Sequence, residues 1–293
     1  MSAPRLFDAA LRSARRTRAE RAGVRDDVLM PRVAEEMAER LQAVLRNFPL
    51  AVDLSDRGPE IASALKTVPR VGTVVCAGAS SGSDVVFTNE TLPFGPASLD
   101  LAVSALALHW AEDLPGLLIQ IRRALKPDGL FLAAVAGGDT LIELREAFSI
   151  AELETTGGIT PRVIPFADIR DFGGLLQRAG FALPVVDSDR ITIRYSSLSR
   201  LFADLRALGA ANPMLARSRT PLRRKTLARL EQVYREKFSD PDGKLRATVE
   251  IVWMSGWVPH ESQQKPLRPG SARARLADAL GTTEIPSGVK PGG

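Results

Sequence analysis

Five apolar runs of strand length follow one another through the first half of this chain, and helical patterns stand between most of them. The runs are FPLAVDL from residue 48, RVGTVVCAGAS at 70–80, a short SDVVF from residue 83, LDLAVSALALHW at 99–110 and LFLAAVAGG at 130–138. Residues 27–46 place Val28, Leu29, Val33, Met37, Leu41, Val44 and Leu45 at three- and four-residue steps, the spacing of one helix face. EIASALKTV at 60–68 reads as a short helix. DLPGLLIQIRRALKPDG reads as a longer one, with Leu114, Leu117, Leu118, Ile121 and Leu125 on one face. Asp113 stands at its N-cap, and Lys126-Pro127-Asp128-Gly129 is placed to stop it. Strands alternating with helices at this spacing predict a doubly wound α/β sheet, mostly parallel, with helices on both faces. Ligands of such sheets sit at the carboxyl ends of the strands, near the switch in strand order. Here those ends are Asp53–Gly58, Ala77–Ser80, Thr88–Glu90, His109–Trp110 and Gly137–Asp139.

The second half is less regular. Residues 139–153 look helical, TTGGITPRVIPF reads as a loop, DIRDFGGLLQRAGF as a helix and LPVVDSDRITIRY as a strand. Helical stretches are expected over about 197–209 and 214–238, and TVEIVWMSGWVP as an antiparallel last strand. The expected organisation is an N-terminal helical extension over 1–47 and a sheet domain over 48–260. Helical insertions fall at about 139–166 and 197–240, and 261–293 is a polar, partly disordered tail.

At 293 residues and 45% hydrophobic, the chain is long enough to bury a full core. No uninterrupted apolar run reaches the length of a membrane span. One cysteine, Cys76, excludes an intramolecular disulfide framework, and its place in an apolar run predicts an inert thiol. The formal charge of +5 is concentrated in residues 214–246, with Arg217, Arg219, Arg223, Arg224, Lys225 and Arg229. A basic face of this kind meets an acidic protein, a lipid surface or nucleic acid, or is simply a solvated helix face. No aromatic residues interleave with these arginines as a base-stacking surface needs, so nucleic acid ranks last. The arginine-rich N-terminus lacks the apolar core of a secretory signal. Asp8 and Glu20 interrupt what would otherwise look like a transit peptide, so a helix docked on the domain is the reading preferred.

By the fourth run, motifs in order carry a resemblance: Leu92-Pro93-Phe94, Leu99-Asp100, His109-Trp110 and Lys126-Pro127-Asp128-Gly129. The stretch around them resembles the second half of a class I S-adenosylmethionine-dependent methyltransferase. GGDTLIELREAF, TPRVIPFADIRDFGGLLQRAGFALPVVD and GWVPHESQQKPLRPGSA are similar to one subfamily, the methyltransferase-like assembly factors of respiratory complex I. Methyltransferases of biotin synthesis resemble the middle of the chain only. The resemblance implies a Rossmann-like methyltransferase fold and maturation of a complex I subunit as partner. It also implies S-adenosylmethionine as cofactor of the fold, and in the mammalian member an association with arginine hydroxylation. A cytoplasmic location follows if the source is bacterial, peripheral to the inner membrane at most, and a mitochondrial matrix location if it is eukaryotic.

The cofactor of this fold needs small residues after strand 1, an acid at the end of strand 2 for the ribose and a polar group after strand 3 for the adenine. Candidate positions are Asp53, Ser55 and Gly58 in the first turn, Gly78 at the end of strand 2, and Asn89 and Glu90 after strand 3. Ser55, Asp56 and Arg57 replace small residues, CAGAS holds no carboxylate, and Thr88 stands where an acid is customary. These departures count against cofactor use. His109, at the end of the fourth run, is a candidate general base, beside the alternative of a packed His-Trp pair. Asp139 and Glu143, four apart, match the guanidinium of a substrate arginine, or equally pair with Arg145 or cap a helix. His260 lies in a polar stretch with the character of a recognition loop, and no metal-ligand set is expected. Three functions stay open: a factor that modifies or chaperones a complex I subunit, an active methyltransferase, and a non-catalytic scaffold.

Overall fold

The structure is a computed structural model that describes residues 5–23, 28–56, 59–79, 82–87, 91–264 and 281–282. Gly58, Thr88, Asn89, Glu90 and most of the tail lie outside the described residues. Residues 1–259 form one compact unit and 260–293 a second. Of the second, the described part shows His260 Nδ1 at 2.8 Å from the Ser262 hydroxyl.

Seven strands form one sheet: β1 (Phe48–Asp53), β2 (Val71–Gly78), β3 (Val85–Val86), β4 (Leu99–Ala105), β5 (Leu125–Ala136), β6 (Ala182–Tyr195) and β7 (Leu245–Trp257). Their order is β3-β2-β1-β4-β5-β7-β6. The pairs among β1 to β5 are parallel, and β7 runs antiparallel to both β5 and β6. The order reverses between β1 and β4, which puts the switch at the turn after Asp53.

Two-residue periodicity explains the layering. Leu101, Val103, Leu130, Leu132, Ile251 and Trp253 point to one face. There they meet α2 (Leu29–Gln42) and α3 (Glu60–Leu65). Ala102, Phe131, Ala133, Val252 and Met254 point to the other, against α4 (Leu114–Ala124) and α6 (Ile169–Arg178). A third cluster joins α5 (Ile142–Thr156), α7 (Leu198–Ala207) and α8 (Arg224–Phe238) to the first half of β7.

The apolar steps of α2 bury Leu29, Val33, Met37 and Leu41. Val28 and Leu45 stay 59% and 82% exposed, because the helix ends at Gln42 and their positions fall outside the buried stripe. Asp113 caps α4, accepting from the Gly116 N–H at 2.8 Å. α4 ends at Ala124 and β5 begins at Leu125, so Lys126–Gly129, expected to stop the helix, is already strand, with a register shift between Leu99 and Leu101 and Asp128 in the left-handed region. The basic helix expected over 214–238 begins only at Arg224. Residues 212–217 instead make tight turns on Asn212 and Met214, and Pro221 precedes the helix.

α1 (Ala9–Ala22) buries only Ala19, yet it is strapped across the carboxyl ends of the strands. Leu6 and Phe7 N–H groups donate to Glu112, Phe7 bridges Met214, and the Asp8 N–H donates to the Pro213 carbonyl. No helix of the described residues is long and apolar enough to cross a membrane.

Candidate functional site

The turn after β1 is held from inside. Asp53 sits between Cys76 of β2 and Val103 of β4 and is 2% exposed. Its carboxylate accepts the Ser55 N–H at 2.8 Å, and the Ser55 hydroxyl accepts the Ala105 N–H at 2.8 Å. Ser55 therefore staples the turn to the end of β4. Burial pushes the Asp53 carboxyl up to about 6, against the opposing pull of the Ser55 hydrogen bonds.

Asp56 adopts φ 55°, a left-handed conformation that suits glycine far better than aspartate. Its carboxylate is paired with Arg16 of α1, with Nη2 donating to Oδ1 at 2.7 Å. It also lies directly on Gly78, where a Cβ would overlap it. The glycine at the end of β2 is thus required by a side chain of this protein. S-adenosylmethionine would need that place for its ribose. The described residues do not fit it: no acid ends β2, and the carboxylate above Gly78 is neutralised by Arg16.

Beside this turn, over the ends of β4 and β5, lies a cavity of about 340 Å³. Its apolar wall includes Leu106, Leu144, Phe148, Phe166, Phe202 and Leu205, and Trp110 and His109 close one side. Leu106 and Leu141 both line it in the left-handed region, at φ 50° and 55°. Bulky residues held there mark backbone that the surrounding structure strains, which is commonest at functional sites.

His109 does not end a strand. β4 stops at Ala105, and His109 stands in a 3-10 helix, Leu108–Trp110, its ring 4.8 Å from Trp110 and 5.8 Å from Phe166. It is a wall of the cavity. Trp110 in turn packs on Phe7, and its carbonyl accepts from Arg12 at 3.0 Å.

Asp139 and Glu143 are not brought together. Glu143 is buried and turned to β7, accepting the Thr248 N–H at 3.0 Å and hydroxyl at 2.5 Å. Asp139 holds the guanidinium of Arg190 from β6, which also lies 3.8 Å from Glu250. Glu250, buried on β7, accepts the Asp139 N–H at 2.9 Å. Its partner is 111 positions away, so no local pattern could have paired them.

Glu152, on α5, is 2% exposed and was not legible as a site residue. It accepts from Arg162 Nε at 2.6 Å and from the Thr160 N–H at 2.7 Å and hydroxyl at 2.8 Å. Those bonds fix the 157–168 loop, which supplies Arg162, Val163, Ile164 and Phe166 to the cavity.

Much of the basic segment is neutralised. Arg217 pairs with Asp8, Arg229 with Glu154, Arg235 with Glu231 and Lys237 with Glu146. Arg219, Arg223, Arg224 and Lys225 are exposed and meet no carboxylate among the described residues. Cys76 is half-buried rather than buried, and its thiol is pushed up by burial and by the Asp53 and Asp84 carboxylates, which suits an inert thiol. Among the described residues no three His, Cys, Asp or Glu side chains gather as a metal site would.

Residues 32–133 match the family model of the methyltransferase domain. Among solved structures, the YcgJ protein from Bacillus subtilis shares the fold, with a TM-score of 0.52 at 15% identity over 78% of this chain and 99% of that one. The malonyl-[acyl-carrier protein] O-methyltransferase of Xylella fastidiosa is 39% identical over 170 residues, 58% of this chain and 55% of its own. The mitochondrial arginine-hydroxylase NDUFAF5 of Danio rerio is 38% identical over 263 residues, 86% of this chain and 82% of its own. The human protein of the same name is 39% identical over 264 residues, 86% of this chain and 76% of its own. With the seven-stranded methyltransferase sheet carried through into that long second half, the chain belongs to the methyltransferase-fold family of the arginine-hydroxylase NDUFAF5.

Proposed function

We propose that this protein serves the maturation of a respiratory complex I subunit and engages a subunit arginine at the end of β5, where Asp139 and Glu250 stand. One observation carries the reading. The likeness to proteins named arginine-hydroxylase runs through 86% of the chain, whereas the methyltransferase domain model matches only 32–133 and the malonyl-[acyl-carrier protein] O-methyltransferase covers 58%. The geometry supports it: two carboxylates already hold a guanidinium there, that of Arg190, whose side chain is 65% exposed. The partly exposed Arg190–Asp139 pair contributes at most about 1 kcal/mol, so an incoming arginine exchanges with Arg190 there at little cost. The exposed cations at 219–225 offer an acidic subunit face a complementary surface.

The test is complementation of a deletion strain, followed by mass mapping of complex I subunits. Wild type restores one modified arginine peptide, and Asp139→Asn restores protein abundance but not the modification. Reversal of Arg223, Arg224 and Lys225 to glutamate weakens recovery of assembled complex. An unchanged peptide mass in the deletion strain overturns the arginine reading.

The active-methyltransferase reading is favoured by the domain match over 32–133 and by the likeness to malonyl-[acyl-carrier protein] O-methyltransferase over 58% of the chain. Titration of the purified protein with S-adenosylhomocysteine separates the two. Wild type is expected to bind it weakly. Arg16→Gln/Asp56→Gly, which clears Gly78 and relieves the left-handed aspartate, is expected to gain about tenfold or more in affinity, the scale of a recovered polar contact. Low-micromolar binding by wild type would show that the Arg16–Asp56 pair accommodates the cofactor and would move methyl transfer forward.

A further inference from the structure

The cavity over β4 and β5 has a charge that neither methyl transfer nor the arginine reading uses. Four arginines line it, Arg15, Arg162, Arg206 and Arg217, and no aspartate or glutamate does. Two of the four are compensated from behind: Arg162 by Glu152 at 2.5 Å and Arg217 by Asp8 at 3.1 Å. Arg15 and Arg206 meet no carboxylate among the described residues. Arg15 donates to the Asn212 carbonyl at 2.5 Å, a neutral acceptor that leaves its charge in place. Burial first and then the neighbouring charge of Arg217 disfavour its charged form, and the Asp8 carboxylate that pairs with Arg217 offsets this only in part. Most of the rest of the lining is aromatic and aliphatic, and the volume of about 340 Å³ is enough for a ring or a medium-length chain with a charged head.

We propose that this cavity is a binding site for an organic carboxylate with an apolar body, its head set between Arg15 and Arg206 and its body against Phe148, Phe166 and Phe202. Guanidinium groups match a carboxylate through paired N–H donors, and the apolar lining takes the body of the ligand. A substrate guanidinium is excluded from the same place by the same charges. That assigns arginine recognition and this cavity to different ligands, so the proposal goes beyond the function proposed above and does not rest on it. Leu106 and Leu141, both held in the left-handed region, frame the mouth at the ends of the two strands. The site spans three separated parts of the chain, with Arg15 on α1, Phe148 on α5 and Arg206 on α7.

The test uses the full chain and calorimetric titration with three probes of equal length, octanoate, octylamine and 1-octanol, with 3-phenylpropionate to compare a ring with a chain. Octanoate or phenylpropionate binds saturably, and octylamine at least about tenfold more weakly, the scale of a charged hydrogen bond. Arg206→Gln, on the exposed side of α7, lowers acid affinity about tenfold and leaves octanol binding unchanged. Arg15→Gln/Arg206→Gln lowers it further. Absence of saturable acid binding, equal or tighter binding of octylamine, or unchanged octanoate affinity in Arg206→Gln overturns the proposal.

Discussion

Replacing Glu152 by alanine is expected to lower the unfolding free energy by about 3–5 kcal/mol, the cost of removing one partner from a buried, hydrogen-bonded ion pair. Glu152 is 2% exposed, and its two oxygens answer the Thr160 N–H, the Thr160 hydroxyl and the Arg162 guanidinium at once. The alanine variant leaves all three donors unanswered and a cation half-buried against Phe148, 5.6 Å from its ring centroid. Glutamine at the same position keeps an acceptor for Thr160 and loses only the charge, so it is expected to cost about 1–2 kcal/mol. Urea unfolding of the three proteins, compared at their midpoints, reads the order. Equal stability of the alanine and glutamine variants would mean that the neutral acceptor contributes nothing, and equal stability of the glutamine variant and wild type that the charge of Glu152 contributes nothing.

The second large effect has the opposite sign. Asp53→Asn is expected to stabilise the protein at pH 7.5 by about 2–3 kcal/mol, because a rise of the carboxyl from 3.8 to about 6 corresponds to about 3 kcal/mol. Burial is the main cause, with the charge of Glu60 adding to it. The folded state holds the Asp53 proton up to about pH 6, while the unfolded chain releases it near 3.8. Stability is therefore full below about pH 4, falls as pH rises between 4 and 6, and stays lowered above that. The asparagine oxygen still accepts the Ser55 N–H, so the turn is kept while the charge goes. Thermal unfolding of both proteins from pH 4 to 8 should show the two curves converging at the acid end. A constant difference across that range would sink the account.

The sheet was legible because its signal is local. Alternation in Leu130–Val135 and Val249–Met254, and the cap on Asp113, each need only a few neighbours. The turn at Lys126–Gly129 was misread at one end, since a proline and a glycine look the same whether a helix stops or a bulged strand begins. The beginning of α8 was misplaced because 212–217 fold on hydrogen bonds to the Asn212 side chain and the Met214 carbonyl, which leave no periodicity. At the site, the replacement of small residues in the first turn was visible, and its consequence was not. Only the fold brings Arg16 to Asp56, 40 positions on, and Asp56 to Gly78. Asp139 and Glu143 share a local spacing, yet their partners, Arg190 and Thr248, are distant in sequence and pull them apart.

The strap formed by residues 5–22 also sets an order of birth for this site. Asp8 meets Arg217, a partner 209 positions later, and Phe7 bridges Met214. At about 5–20 residues per second, α1 waits on the order of 10–40 s before its seat emerges from the ribosome. During that interval Arg12, Arg15 and Arg16 are exposed cations on a helix with almost no apolar face. The helix that straps the site is thus made well before the residues that seat it.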